Sequence, residues 1–206
     1  MRYVIMANGQ GLRWGGHRGV PKHLVEVGSG ESLIARTVRM VQEADAGAEV
    51  VVSAHDERYA VAGARLYTPE HGELEIDRFV PELLDQPCCY LYGDTYYTVG
   101  ALARVCAAPR TAACDGAQAP RLLFFGNERR IFAVQMADYA YARGLILELR
   151  AQIEAGRIAD CKGWQLYHRH LGLPLAGHAI AGDYVLIEDG TTDFNTPEEY
   201  EAFRRG

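Results

Sequence analysis

Residues 2 to 7 read Arg-Tyr-Val-Ile-Met-Ala, an apolar run that breaks at once into a loop holding Gly9, Gly11, Gly15, Gly16 and Gly19. A short apolar run without alternation, closed by glycine, is the pattern of a strand buried on both faces of a sheet. Behind the loop, residues 32–44 put Leu33, Ile34, Val38 and Val41 at helical spacing, with Arg36, Arg39 and Glu43 on other faces. A second apolar run then ends near Ser53. Strand, glycine loop, helix and strand in that order define a parallel α/β unit, and the fold of the remaining chain has to extend it.

The extension is legible in places. The run Cys-Cys-Tyr-Leu-Tyr-Gly-Asp predicts a third buried strand ending at Asp94, followed by a helix over about Val99 to Ala107. Residues 108–120 are small, polar and bracketed by prolines, which predicts a loop or lobe junction. Apolar runs on either side of Gly126-Asn127 predict a hairpin, and a long amphipathic helix follows over about Asp138 to Ala155. A late strand is expected around Tyr184, and a last helix enters through Thr196 as N-cap, Pro197 at the first position and Glu199 closing a capping box. The expectation is one domain of 206 residues with a mixed, mostly parallel sheet.

Composition narrows the classes. The chain is 49% hydrophobic and 23% charged, long enough to bury a core without disulfides or metals. A net charge of −6 argues against a general nucleic-acid binder. The five cysteines have no C-x-x-C spacing and read as small buried hydrophobes in a reducing compartment. No apolar run reaches the length of a membrane span, and the first strand starts almost at Met1, so a cytoplasmic protein is expected. Only Lys22 and Lys162 among the 21 basic residues are lysine, which marks them as places that favour a compact point charge over a planar fork.

A glycine turn between strand and helix exposes backbone N–H groups that bind phosphate. The dinucleotide fingerprint fails because Trp14 stands at the third glycine and no helix is expected before residue 31. The ATPase loop fails because Lys22 follows Pro21 and no Gly-Lys pair is present. What remains is Ala7-x-Gly9-x-Gly11-x-Arg13, then Pro21-Lys22-x-Leu24. This resembles the nucleotidyltransferase superfamily with the GT-A-type fold, which includes the sugar-phosphate, choline-phosphate and molybdenum-cofactor nucleotidyltransferases. Asn8 stands where that pattern has a small residue. The segment Tyr-Leu-Tyr-Gly93-Asp94-Thr is similar to the family's metal-holding strand end, and Asp193-Phe-Asn195-Thr-Pro-Glu is similar to its closing segment.

The resemblance implies a three-layer α/β/α fold, with residues 1–107 as a nucleotide half and 108–206 as an acceptor half. It implies attack by an acceptor phosphate on the α-phosphorus of a nucleoside triphosphate, with Mg²⁺ as cofactor and pyrophosphate as leaving group. Arg13, Lys22 and Asp94 would then be catalytic. Ala7, Asn8, Gly9, Gly11, Arg13, Lys22 and Ser53 would bind nucleotide, and Asp94 and Asp193 would hold the metal. Such chemistry is positioning and charge neutralisation, since the nucleophile is already an anion.

Each residue also has a plainer reading. Gly9 and Gly11 serve equally as turn glycines, Lys22 as a solvated lysine, Asp94 as a turn cap, and Asp193 with Asn195 as the entry to the last helix. Lys162 and Trp164 either line an acceptor pocket or pack aromatics, the second being favoured; His168 and His170 lack a third ligand and are rejected as a metal pair. At the level of the whole chain, the alternatives are a non-catalytic sensor of nucleotide conjugates and a glycosyltransferase on the same fold. The second is disfavoured by the absence of a D-x-D motif. The oligomeric state stays open, dimers being common in similar proteins.

Overall fold

A computed structural model describes residues 1–9, 11–28, 30–108 and 120–205 of the chain. The expected junction at 108–120 falls almost wholly on residues 109–119, outside the described residues, as does Cys114.

The first unit forms as the sequence dictates. Strand β1 (Arg2–Met6) leads through the glycine loop to helix α1 (Leu33–Ala44), whose N-cap Ser32 accepts from the Ala35 backbone N–H, and on to β2 (Glu49–Ser53). The chain continues through β3 (Arg65–Tyr67), β4 (Cys88–Tyr92), β5 (Thr95–Tyr96), α2 (Val99–Ala107), β6 (Leu122–Gly126), β7 (Ile131–Met136) and α3 (Tyr139–Glu154). It closes with α4 (Gly163–Leu171), β8 (Tyr184–Leu186), β9 (Thr192–Asp193) and α5 (Pro197–Phe203).

Seven strands lie in the order β3-β2-β1-β4-β7-β6-β8. Strands β3, β2, β1 and β4 are parallel, β7 runs antiparallel to both β4 and β6, and β8 adds parallel to β6. Alternate residues of β1 divide the core. Val4 and Met6 face α3 and α4, with Ile146, Leu149, Leu166 and Tyr167, while Tyr3 and Ile5 face α1 and α2, with Ile34, Val38, Leu102 and Val105. The sheet is thus covered on both faces, and the three-layer α/β/α architecture expected from the sequence is the one observed. Cys88, Cys89, Cys106 and Cys161 are buried thiols within it.

Two expectations need correcting. Strand β4 ends at Tyr92, because Gly93 and Asp94 turn away from the sheet. The glycine loop, expected to hold no helix, contains three single turns of 3₁₀ helix at Leu12–Trp14, His17–Gly19 and Lys22–Leu24. Gly11 enters the first of them at φ +61°, a left-handed conformation that glycine adopts without strain. Trp14, where a dinucleotide site would have its third glycine, is instead an anchor. It is buried with Val25, Leu33, Phe194 and Tyr200 in a small core beneath the loop, and its indole N–H donates to the Val20 carbonyl at 2.7 Å.

Candidate active site

Parallel strands present their carboxyl ends as a crevice for ligands. Here the ends of β1 and β4 open into a cleft of about 630 Å³. Gly93 allows this convergence: its N–H donates to the Met6 carbonyl at 3.1 Å, and a Cβ at that position would lie 2.6 Å from the same oxygen. Asp94 follows directly and is carried to the mouth of β1.

The Pro21–Leu24 turn delivers Lys22 to meet it. The Lys22 ammonium and the Asp94 carboxylate form a hydrogen-bonded ion pair, and both residues are buried, at 7% exposure each. Burial alone would raise the Asp94 carboxyl; the charge and hydrogen bond of Lys22, with the charge of Arg78, outweigh it and hold the group below the usual carboxylate range. His23, packed behind the pair with its Nδ1 3.2 Å from the Tyr59 hydroxyl, is pushed down to about 3 by burial first and then by Lys22. It is a neutral imidazole at physiological pH.

The second carboxylate arrives from the far end of the chain. Strands β5 and β9 form a separate two-stranded ladder in which Thr95 pairs with Asp193, and the Phe194 N–H donates to the Asp94 carbonyl at 2.9 Å. Asp193 binds Arg130 at 2.5 Å and accepts from the Asn195 side-chain amide at 2.6 Å. Burial pushes its carboxyl up, with the negative charge of Asp94 adding to the effect. Arg13 donates to Asn195 at 2.7 Å, so the glycine loop is tied to the same network.

Of the residues singled out in the sequence, Asn8, Gly9, Gly11, Arg13, Lys22, Asp94 and Asp193 all line this cleft. Ala7 is buried at the end of β1 and borders a neighbouring hollow. Ser53 is fully buried and lines neither space; its backbone carbonyl accepts from Ala7 at 2.9 Å. Lys162 and Trp164 lie together at the N-terminus of α4. They line the cleft, while the Trp164 ring stacks on Tyr184 at 5.8 Å and its N–H donates to the Arg129 carbonyl. The rings of His168 and His170 face different partners, the Pro174 carbonyl and the Asp183 carboxylate respectively.

Sequence reasoning missed Arg78, Arg129 and Arg130. Arg78 lies against the glycine loop, where a Cβ on Gly9 would come 3.0 Å from its guanidinium. Arg130, on the β6–β7 turn, spans Asp193 and Glu199. Nothing marks these arginines in a chain whose default cation is arginine, although the Arg129-Arg130 pair at a hairpin tip was the one available signal.

Among the described residues no group of three or more His, Cys, Asp or Glu side chains gathers as a metal cage. Mg²⁺ does not require one, since it commonly takes one or two carboxylates and completes its shell with phosphate and water. Two carboxylates on one cleft, one with its acid form favoured in part by the other's charge, suit that cation.

The chain has the α/β fold found in solved nucleotidyltransferases. Among solved structures it is similar to the CTP:phosphocholine cytidylyltransferase of Streptococcus pneumoniae, with a TM-score of 0.64 at 13% identity over 99% of this chain and 97% of that one. A putative glucose-1-phosphate thymidylyltransferase from Bacillus anthracis gives 0.63 at 12% identity, covering 100% and 94%. The 4-diphosphocytidyl-2C-methyl-D-erythritol synthase of Anaerococcus prevotii gives 0.60 at 11%, covering 99% and 94%. No family model and no curated protein sequence matches the chain.

Proposed function

We propose that this chain transfers a nucleotidyl group from a nucleoside triphosphate to a phosphorylated small molecule. An oxygen of the acceptor phosphate forms a bond to the α-phosphorus, the bond to the β-phosphate oxygen breaks, and pyrophosphate leaves. The observation that carries this reading is the convergence of three distant segments, bearing Lys22, Asp94 and Asp193, on one cleft at the strand ends.

The loop after β1, with Arg13 and Arg78, binds the β- and γ-phosphates and neutralises the departing pyrophosphate. Lys22 places a compact charge where negative charge grows around the α-phosphate. Asp94 and Asp193 hold Mg²⁺, which when bound polarises the phosphate oxygens as a Lewis acid. Arg130 holds Asp193 in place through its bond to Glu199 on the other side. Arg129, Lys162 and Trp164 form the acceptor side, so the nucleotide half spans residues 1–107 and the acceptor half 108–206.

The test is pyrophosphate release, measured with each of the four common nucleoside triphosphates against a pool of phosphorylated metabolites in the presence of Mg²⁺. Release is expected with at least one combination, abolished by a chelator and lowered by about 10²-fold or more in Asp94→Asn. The absence of release from every combination, together with the absence of Mg²⁺-dependent nucleotide binding, overturns the reading. Stabilisation by a finished nucleotide conjugate without any turnover would instead identify a sensor.

A further inference from the structure

Between β3 and β4 the chain makes a single 3₁₀ turn over Glu75–Arg78. One such turn has too few hydrogen bonds, and too poor a geometry in them, to hold its own orientation. Ile76 and Phe79, three residues apart, are buried in the core that the sheet shares with α3 and α4. Asp77 is buried as well, its side chain 2% exposed, where an acid needs partners.

Those partners come from separate parts of the chain. Its Oδ2 accepts from the Leu74 N–H at 2.9 Å, at the start of the turn, and its Oδ1 pairs with Arg150 of α3. Its backbone carbonyl accepts from the Asn8 side-chain amide at 3.2 Å, just past the end of β1. Asp77 therefore ties α3, the turn and the root of the glycine loop to one another. Arg78 is the next residue, and it lines the cleft. Its guanidinium pairs with Glu75 at 2.7 Å and lies against Gly9, where a Cβ would come 3.0 Å from it. Neither contact fixes the turn, because Glu75 moves with it and glycine has no side chain to hold it.

We infer that Asp77 is a positioning residue for phosphate binding: by fixing the turn against α3 and Asn8, it holds the Arg78 guanidinium beside the glycine loop. This rests on the proposed function, which sets the β- and γ-phosphates between that loop and Arg78. A planar guanidinium meets two phosphate oxygens only within a narrow range of distance and angle, so the orientation of the turn translates into affinity. Stability alone does not call for this carboxylate, since well-packed apolar residues in place of a buried ion pair are often as stable. What an apolar residue lacks is the pair of bonds to Leu74 and Arg150 that sets the direction of the turn.

The experiment is equilibrium binding in Mg²⁺ of the four common nucleoside triphosphates and their monophosphates to the full chain and its variants. The monophosphates lack the two phosphates that Arg78 meets. Asp77→Asn is expected to weaken the best-binding triphosphate about tenfold while changing its monophosphate less than about threefold. Arg78→Gln is expected to do the same, and the double variant to bind triphosphate within about threefold of Arg78→Gln alone, because the two residues act as one. Should Asp77→Asn fail to fold, Arg150→Met removes the same ion pair from the side of α3 and takes its place in the comparison. Equal weakening of triphosphate and monophosphate overturns the inference, since that is what a merely structural residue would give. Unchanged triphosphate binding, or losses that multiply to about a hundredfold in the double variant, overturn it too. Each of these leaves the proposed function standing, whereas triphosphate binding by no form of the chain, wild type included, overturns both.

Discussion

At the scale of single residues, the arrangement that most needs explaining is the Lys22–Asp94 pair. A fully buried ion pair gains little stability over apolar residues of the same shape, because desolvation consumes most of the attraction. Removing one partner is another matter. In Lys22→Met the Asp94 carboxylate keeps its burial and loses the nearest of the cations that hold it ionised. A loss of about 3–5 kcal/mol is expected in urea unfolding. Adding Asp94→Asn to that variant removes the stranded charge and is expected to recover about half of the loss or more. A double variant less stable than Lys22→Met would mean that Asp94 is balanced by something other than this lysine. With stability nearly indifferent to the pair as a whole, the proposed function gives it a use, as charge placed for a ligand.

At the scale of elements, the two-residue strands β5 and β9 decide whether Asp94 and Asp193 meet at all. So short a ladder cannot hold itself, and its support is α5. Phe194, 1% exposed, packs on Tyr200 and Phe203 at ring distances of 5.5 and 4.9 Å, and the Tyr200 hydroxyl donates to the Glu26 carbonyl at 2.6 Å. The capping box at Thr196 and Glu199 starts the helix that presents them. Phe194→Ala is expected to cost about 3–5 kcal/mol and to speed amide hydrogen exchange in Thr95 and Asp193 more than in β1. A loss under about 1 kcal/mol would show that this small core is not what holds β9. Here too lies the boundary of what the sequence could tell. Most elements with five or more patterned residues were legible, α2 to the residue, because periodicity needs length; α4, crowded with aromatic and histidine residues, was the exception. Strands β3, β5 and β9, of two or three residues each, carry no period and exist only through their partners. Likewise the glycine loop, Lys22, Asp94 and Asp193 carry motif signals, whereas Arg78 and Arg130 enter the cleft by folding alone.

At the scale of the whole molecule, charge is distributed against its own sum. The chain carries −6, yet six basic residues line the cleft (Arg13, Lys22, Arg78, Arg129, Arg130 and Lys162) against four acidic ones (Glu73, Glu75, Asp94 and Asp193). A positive cleft on an acidic body draws anions to one place. Both lysines of the chain are in that place, but in unlike settings: the Lys22 side chain is 8% exposed and locked to Asp94, and the Lys162 side chain is 63% exposed beside Asp160. An aldehyde carrying a phosphate, such as pyridoxal phosphate, can therefore tell them apart. It condenses with an unprotonated amine to an imine, which borohydride reduces to a stable secondary amine. Lys162 is expected to take the label first, as located by peptide mass spectrometry, and excess inorganic phosphate to slow it. With Lys162 on the acceptor side, the labelled protein should lose turnover while binding nucleotide as before, because the Lys22 end of the cleft is untouched. Labelling at Lys162 that leaves turnover intact would remove that residue from the acceptor side, and loss of nucleotide binding would mean that the two halves of the chain do not divide the substrates between them.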